Sequence, residues 1–264
     1  LTSTNSSIGL IYALKKIFVL LKGKFMILNK NVKTLNSKGY VILRNVIPKT
    51  LINETKKYAA ELLRCKPDSK SITKSMARLE SKSKKKFHDF CSLLGFVDPV
   101  LKTAYRNKIS NIVHRIFKNK NVYLSDSCVF YNKAEVKRLQ YDWHVEQSFY
   151  PNVKEVITLW YPWLYKVNEK NGTMIIANDS NLYEGYKVKK IAKKDSLTQM
   201  KIDQKELDHL KFTHCNLEIG DAILFNLKVA HKTGNNTSGV PRTTMVLRYT
   251  DYTGRFNNPW TKSN

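Results

Sequence analysis

From residue 122 to residue 251 the chain is written in short runs of β-branched and aromatic residues: VYLSDSCVFYN, VITLWYPWLY, GTMIIA, DAILFN and RTTMVLRYTD. Side chains that branch at Cβ or carry a ring pack well on a pleated surface, and runs of this length bounded by Asn, Asp and Gly read as strands. So many short strands must close on themselves or pack on a second sheet, because open edges invite association. A β-sandwich or barrel is therefore the expected centre of the molecule.

The front half reads differently. GYVILRNVI (39–47) is a short strand stopped by Pro48, and LINETKKYAAELLR (51–64) carries its apolar residues at helical spacing. PVLKTAYRNKISNIVHRIF (99–117) reads as a second amphipathic helix. KPDSKSITKSMARLESKSKKK (66–86) is rich in Ser and Lys and is expected to form a mobile loop or lid. A charged, helix-compatible insertion is expected to interrupt the strands at 181–216 and, like 66–86, to form a lid over the pocket. Helices first and strands after suggest a mainly β fold with flanking helices, its core supported from the N-terminal side. A length of 264 residues allows one large domain, expected over 36–264, with residues 1–35 as a basic amphipathic segment. In that segment Lys15, Lys16, Lys22 and Lys24 break the apolar runs too often for a membrane-spanning helix. It could rest on an anionic membrane or pack on its own domain.

The formal charge of +25 raises nucleic acid as a partner, but the excess is almost all lysine, with nine arginines. An AT-rich coding bias produces that mix, and no zinc-knuckle, helix-turn-helix or RNA-recognition signature accompanies it. A solvated basic surface is expected, with no specific nucleic-acid partner. Cys65, Cys91, Cys128 and Cys215 lie far apart, with no C-x-x-C pair. They form neither a disulfide framework nor a zinc site on this spacing, so a reduced, cytoplasmic setting is expected.

The stretch YDWHVEQSFY (141–150) puts His144 and Glu146 two residues apart among aromatics. On a strand both would point to one face, and two polar groups aimed at an interior cost free energy unless they hold something. The pair alone carries little weight, since six histidines and 21 acidic residues in 264 give about 0.5 such pairs by chance. GDAILFNLKVAHKTGNNTSGVPRTTMVLRY (220–249) adds His231, then Arg242 and Thr244 on one strand face. Two imidazoles and a carboxylate on a β scaffold are the donor set of the facial triad for non-haem Fe(II), which leaves three positions open. A bidentate 2-oxo acid and O2 could fill them, and an arginine beside a hydroxyl suits the far carboxylate of such an acid. His88, His114, His209 and His214 have no comparable context.

This order, from His-x-acid through a Trp-containing strand and an Asn-Gly turn to Gly-Asp, His and Arg, resembles the phytanoyl-CoA dioxygenase family of Fe(II)/2-oxoglutarate oxygenases. The resemblance spans about residues 36–255 and is strongest at 141–172 and 219–249. It implies a double-stranded β-helix, or jelly-roll, core and a dioxygenase that hydroxylates a small molecule with release of succinate and CO2. Fe(II), 2-oxoglutarate and O2 would be its cofactor and co-substrates. The iron ligands and catalytic residues would be His144, Glu146 and His231. Arg242 would hold the far carboxylate of 2-oxoglutarate with Thr244, and Thr158 and Trp160 would line that pocket. Gln147, Phe149 and Tyr150 could face the substrate, and Lys133 and Gln140 are further candidates. Arg248, on the face of Arg242, is an alternative carboxylate partner. The family's acid is usually Asp, and Glu146 is longer by about one bond length. Its Pro-Gly-Ser-His stands here as Asn178-Asp179-Ser180-Asn181, still compatible with a turn. Related halogenases lack the acid, so a retained carboxylate favours hydroxylation. Lysine-rich segments around the pocket suggest an anionic substrate. Two other readings remain: a non-catalytic jelly-roll module that binds anionic membrane or nucleic acid, and a cupin-type metal enzyme without 2-oxoglutarate.

Overall fold

The computed structural model describes residues 23, 26–118, 121–134, 140–150, 153–191 and 199–251. Helix α1 covers residues 26–38, so most of the 1–35 segment lies outside the described residues. Strand β1 (Tyr40–Leu43) follows, then α2 (Lys49–Leu63), α3 (Ser69–Lys82), α4 (Lys84–Leu94), α5 (Asp98–Ala104) and α6 (Asn107–Ile116). The strands β2 (Val122–Asn132), β3 (Ile157–Pro162), β4 (Met174–Ala177), β5 (Val188–Ile191) and β6 (Gln199–Ile202) come next. β7 (Phe212–His214), β8 (Ala222–Asn226), β9 (His231–Thr233) and β10 (Arg242–Asp251) complete them.

Five strands pair antiparallel in the order β1-β8-β3-β10-β2, and β7-β4-β9 form a second sheet. Every residue of β3 and β10 is buried, because the large sheet is covered on both faces. Alternation divides the side chains. Leu159, Tyr161, Met245 and Leu247 join one apolar cluster with Ile72, Met76, Phe90, Leu94, Ile109 and Ile112 of the helices. Trp160, Ile223, Phe225 and Val246 point the other way and pack with Met174 and Ile176 of the second sheet. The molecule is thus mainly β: a jelly roll with its helices on the outer face of the larger sheet, as the sequence leads one to expect. The end of α4 approaches β2 so closely that a Cβ on Gly95 would lie 2.1 Å from the Ser127 carbonyl oxygen. The Ser127 hydroxyl donates to Gly95 O at 2.6 Å, so only glycine closes this seam.

Three expectations need correction. Residues 66–86 are not a loop: α3 and the start of α4 occupy them, with Ile72 and Met76 fully buried. Asp68 and Ser83 cap these helices by accepting from Ser71 and Lys86 N–H. The stretch 99–117 is two helices, broken where Arg106 takes an extended conformation (ψ 132°). The 181–216 insertion holds no α-helix among its described residues. Its described residues form β5 and β6, paired antiparallel, and β7, because Val188, Ile202 and Leu207 pack beneath the 143–145 segment. No helix among the described residues is long and apolar enough to cross a membrane.

Candidate metal centre

His144 and His231 are brought together by the backbone. Each donates its N–H to the other's carbonyl at 3.0 Å, forming an isolated antiparallel bridge on the free side of β9. Their rings lie 4.2 Å apart between centroids. His144 is therefore not on the continuous strand that the sequence suggests. One extended residue, Val145, carries the chain to a 3-10 turn at Glu146–Ser148, and this keeps the two side chains on one side. Trp143 and Val145, flanking His144, are buried against Ala177, Ile202 and Ala230, and Ile202 N–H donates to Trp143 O at 2.7 Å. The segment is thus held by packing on one side and by β9 on the other. Downstream, the departure Asn178–Asn181 keeps a turn: Asp179 is left-handed (φ 62°), and Ser180 Oγ accepts from Ala230 N–H next to His231.

Both imidazoles have the same local partner. His144 Nδ1 lies 2.7 Å from Asp142 O and His231 Nδ1 lies 2.9 Å from Val229 O. A carbonyl can only accept, so each ring carries its proton on Nδ1 and turns an Nε2 lone pair inward. Burial holds both imidazoles neutral; His231, depressed further by His144, is brought down to about 3. Glu146 Oε1 lies 3.8 Å from His231 Nε2, a contact with a neutral ring and not an ion pair. Burial pushes the Glu146 carboxyl up, but the charge and hydrogen bonds of the Arg248 guanidinium outweigh it and bring it down to about 2. One donor atom from each of His144, Glu146 and His231 lies within 4.8 Å of the others, all three residues buried. Two neutral imidazoles and an ionised carboxylate, oriented with their lone pairs converging, fit a divalent metal of the iron type.

The inner face of β10 supplies the rest. Arg242 and Thr244 sit there with Asn132 and Phe130 opposite on β2, and Trp160 and Thr158 on β3 share that face. Arg242 is buried, with its guanidinium carbon 5.4 Å from the centre of the Trp160 ring. Burial lowers its pKa to about 10. Among the described residues Arg242 Nε, Thr244 Oγ1 and both polar side-chain atoms of Asn132 are buried without a hydrogen-bond partner; Thr158 Oγ1 is another such atom, but it stands across from Arg248 at the far end of the face. Native interiors rarely leave so many polar atoms unpaired in one place, and such a cluster suits a polar ligand. Arg248 does not compete for that role, because its fork is taken by Glu146 and Asp126.

Phe149 packs edge-on to His144 at 5.8 Å and Tyr150 follows it, half-buried. Gln147 is exposed, and its N–H donates to Leu227 O. Lys133 is exposed just past β2, and Gln140 O accepts from Gln199 Nε2. Sequence reasoning missed Asn132, Asp126 and Tyr141, whose ring lies 5.6 Å from His144. The first two stand opposite Arg242 and Arg248, a pairing that only the β2–β10 register could reveal.

The family model described as phytanoyl-CoA dioxygenase (PhyH) matches residues 35–244. No curated protein matches the chain. Among solved structures, the chain is similar to the epimerase SnoN in complex with Fe3+, alpha ketoglutarate and nogalamycin RO. That likeness has a TM-score of 0.60 at 16% identity, over 87% of this chain and 85% of that one. EctD from S. alaskensis with 2-oxoglutarate and 5-hydroxyectoine gives 0.60 at 16%, over 84% and 75%. The non-heme monooxygenase ThoJ gives 0.58 at 15%, over 83% and 76%. At these identities the likeness is one of fold.

Proposed function

The chain belongs to the phytanoyl-CoA dioxygenase family and is a non-haem Fe(II)- and 2-oxoglutarate-dependent oxygenase; we propose that it hydroxylates a small molecule at a centre built from His144, Glu146 and His231. The observation that carries the residue assignment is the convergence of these three donors, with both Nδ1 atoms already committed to carbonyls. When bound, iron and 2-oxoglutarate would supply the oxidising power, with O2 consumed, succinate and CO2 released and a hydrogen removed from the substrate.

The chain's own residues bind, orient and exclude water. His144 and His231 stay neutral and available as ligands because burial opposes their protonation. Glu146 stays ionised and brings the one negative charge of the ligand set. Arg242 receives the far carboxylate of 2-oxoglutarate, with Thr244 as a second donor and the Trp160 ring backing the guanidinium. Thr158 stands across from Arg248, six residues along β10 from Arg242, and lines the Glu146 end of the same face. Phe149 and Tyr150, together with Tyr141, wall the approach to His144 and keep water from the reacting atoms. Gln147, at the exposed rim, meets the substrate. We extend the reading to an anionic substrate on the support of the formal charge of +25 and of Lys232, stacked on Trp143 next to His144. A fall in kcat/KM with rising salt would be the sign of such steering. A module that had kept only the fold would have no use for the triad together with a buried arginine whose Nε has no partner among the described residues.

The test is anaerobic. Fe(II) and 2-oxoglutarate are added to metal-free protein, and the weak visible charge-transfer band of the chelate is sought, with His144→Ala as control. A band lost in H144A is the expected result. A folded, metal-free protein that gives no band overturns the assignment.

A further inference from the structure

The inner face of β10 carries a second buried guanidinium with a different set of neighbours. Arg248 Nε donates to Glu146 Oε2 at 3.0 Å, Nη2 to Glu146 Oε1 at 3.3 Å, and Nη1 to Asp126 Oδ2 at 2.6 Å. The two bonds to Glu146 are unequal. Oε1, which holds the longer one, is also the oxygen 3.8 Å from His231 Nε2. Oε2 is held at the shorter distance by the protein itself.

Resting on the iron-site assignment above, we propose that Arg248, braced by Asp126, is the positioning residue of this centre and fixes Glu146 so that a single oxygen, Oε1, serves the metal. Three physical points support it. A glutamate has one more rotatable bond than an aspartate, so its carboxylate can swing, whereas two N–H donors on a planar fork fix both its position and its plane. A carboxylate free to turn could offer both oxygens to the metal and take a position that the 2-oxo acid and O2 require. A lone guanidinium beside a dication would oppose metal binding, since like charges this close repel strongly in a buried site. Asp126 removes that objection: the Asp126–Arg248–Glu146 trio carries the same net charge as Glu146 alone. The arrangement therefore accommodates the longer acid without weakening the electrostatics of the site.

The probe is Co(II), added to metal-free full-length protein and followed by calorimetry and by its ligand-field absorption. Wild type should bind and H144A should not. R248K keeps the charge but loses the planar fork. It should weaken Co(II) binding by about 10–100-fold, the usual effect of losing a group that orients a ligand, and shift the ligand-field bands. In an E146D protein the shorter acid is withdrawn from the fork, so adding R248K there should cost less than about threefold. A merely structural role would cost stability in both backgrounds and leave the bands where they are. R248K with wild-type affinity and bands overturns the proposal and leaves the triad standing. Wild type that binds Co(II) no better than H144A overturns the triad itself. Should R248K fail to fold, D126N decides, because Asp126 is half-exposed. Its expected result is several-fold weaker binding with shifted bands, and unchanged binding overturns the proposal.

Discussion

The two ends of the inner face of β10 hold one arginine each, and the two are used in opposite ways. Arg248 has its fork divided between Glu146 and Asp126. Arg242 stacks on Trp160, and its Nε has no partner among the described residues. One end is a closed ion-pair network; the other is an open cluster of Arg242, Thr244 and Asn132, whose buried polar atoms have no partner among the described residues. A buried charge with its partners present contributes to the architecture, and one without them is costly and marks a place for a ligand. Six residues of one strand thus separate the part of the site that the protein completes from the part that it leaves for a co-substrate.

Removing the charge at each end should give mirror-image results. R242M should leave metal-free stability within about 1 kcal/mol, since Arg242 has no ion-pair partner among the described residues and exchanging such a buried charge for an apolar side chain is often neutral or favourable. The same change should raise the KM for 2-oxoglutarate by roughly two orders of magnitude, the scale of losing one partner of a buried charge pair. E146Q should do the reverse to stability. It leaves Arg248 with Asp126 alone and should lower the unfolding free energy by about 3 kcal/mol in urea titrations of the metal-free protein. If R242M destabilised the metal-free protein as much as E146Q, both arginines would be structural and the contrast would be lost.

Acid should sharpen the same contrast. His231 is depressed from 6.5 to about 3, so the folded state keeps the ring neutral while the unfolded chain takes up a proton. The stability this represents is complete above pH 6.5 and is lost as pH falls toward 3. Glu146 is depressed from 4.5 to about 2, so its contribution is complete above pH 4.5 and is lost as pH falls toward 2. Both act in the same direction, and metal-free protein should lose roughly 3–4 kcal/mol between pH 7 and pH 4. E146Q should remove the lower part of this limb, and R242M should leave the whole limb in place. Denaturant midpoints across pH give the answer.

The β half was legible because its strands are short, β-rich and bounded by turns, and because alternation alone puts Arg242, Thr244 and Arg248 on one face. The triad was legible as residue types at a spacing, although His144 sits on a single bridge and Glu146 on a 3-10 turn. Composition misled at 66–86. Lysines and serines hide the Ile72–Met76–Leu79 stripe, whose i, i+4, i+7 spacing was there to be read. At 181–216 charge concealed alternating apolar residues that the 143–145 segment buries. The Arg248–Glu146 pair could not be read at all. The two residues are 102 positions apart, and only closure of the barrel makes them neighbours.

The smallest expected effect tests the division of β10 most finely. Thr243 and Thr244 both have a buried hydroxyl without a partner among the described residues, yet alternation sends them to opposite faces of the sheet. T244V and T243V each exchange an unanswered hydroxyl for a methyl group, so each should leave metal-free stability unchanged or raise it by up to about 1 kcal/mol. Only T244V should weaken 2-oxoglutarate, by about 3–10-fold, because only Thr244 shares a face with Arg242. Anaerobic titration of the charge-transfer band reads both variants on one scale. Equal losses would mean that the hydroxyls act through strand packing, and the inner face of β10 would have to be redrawn.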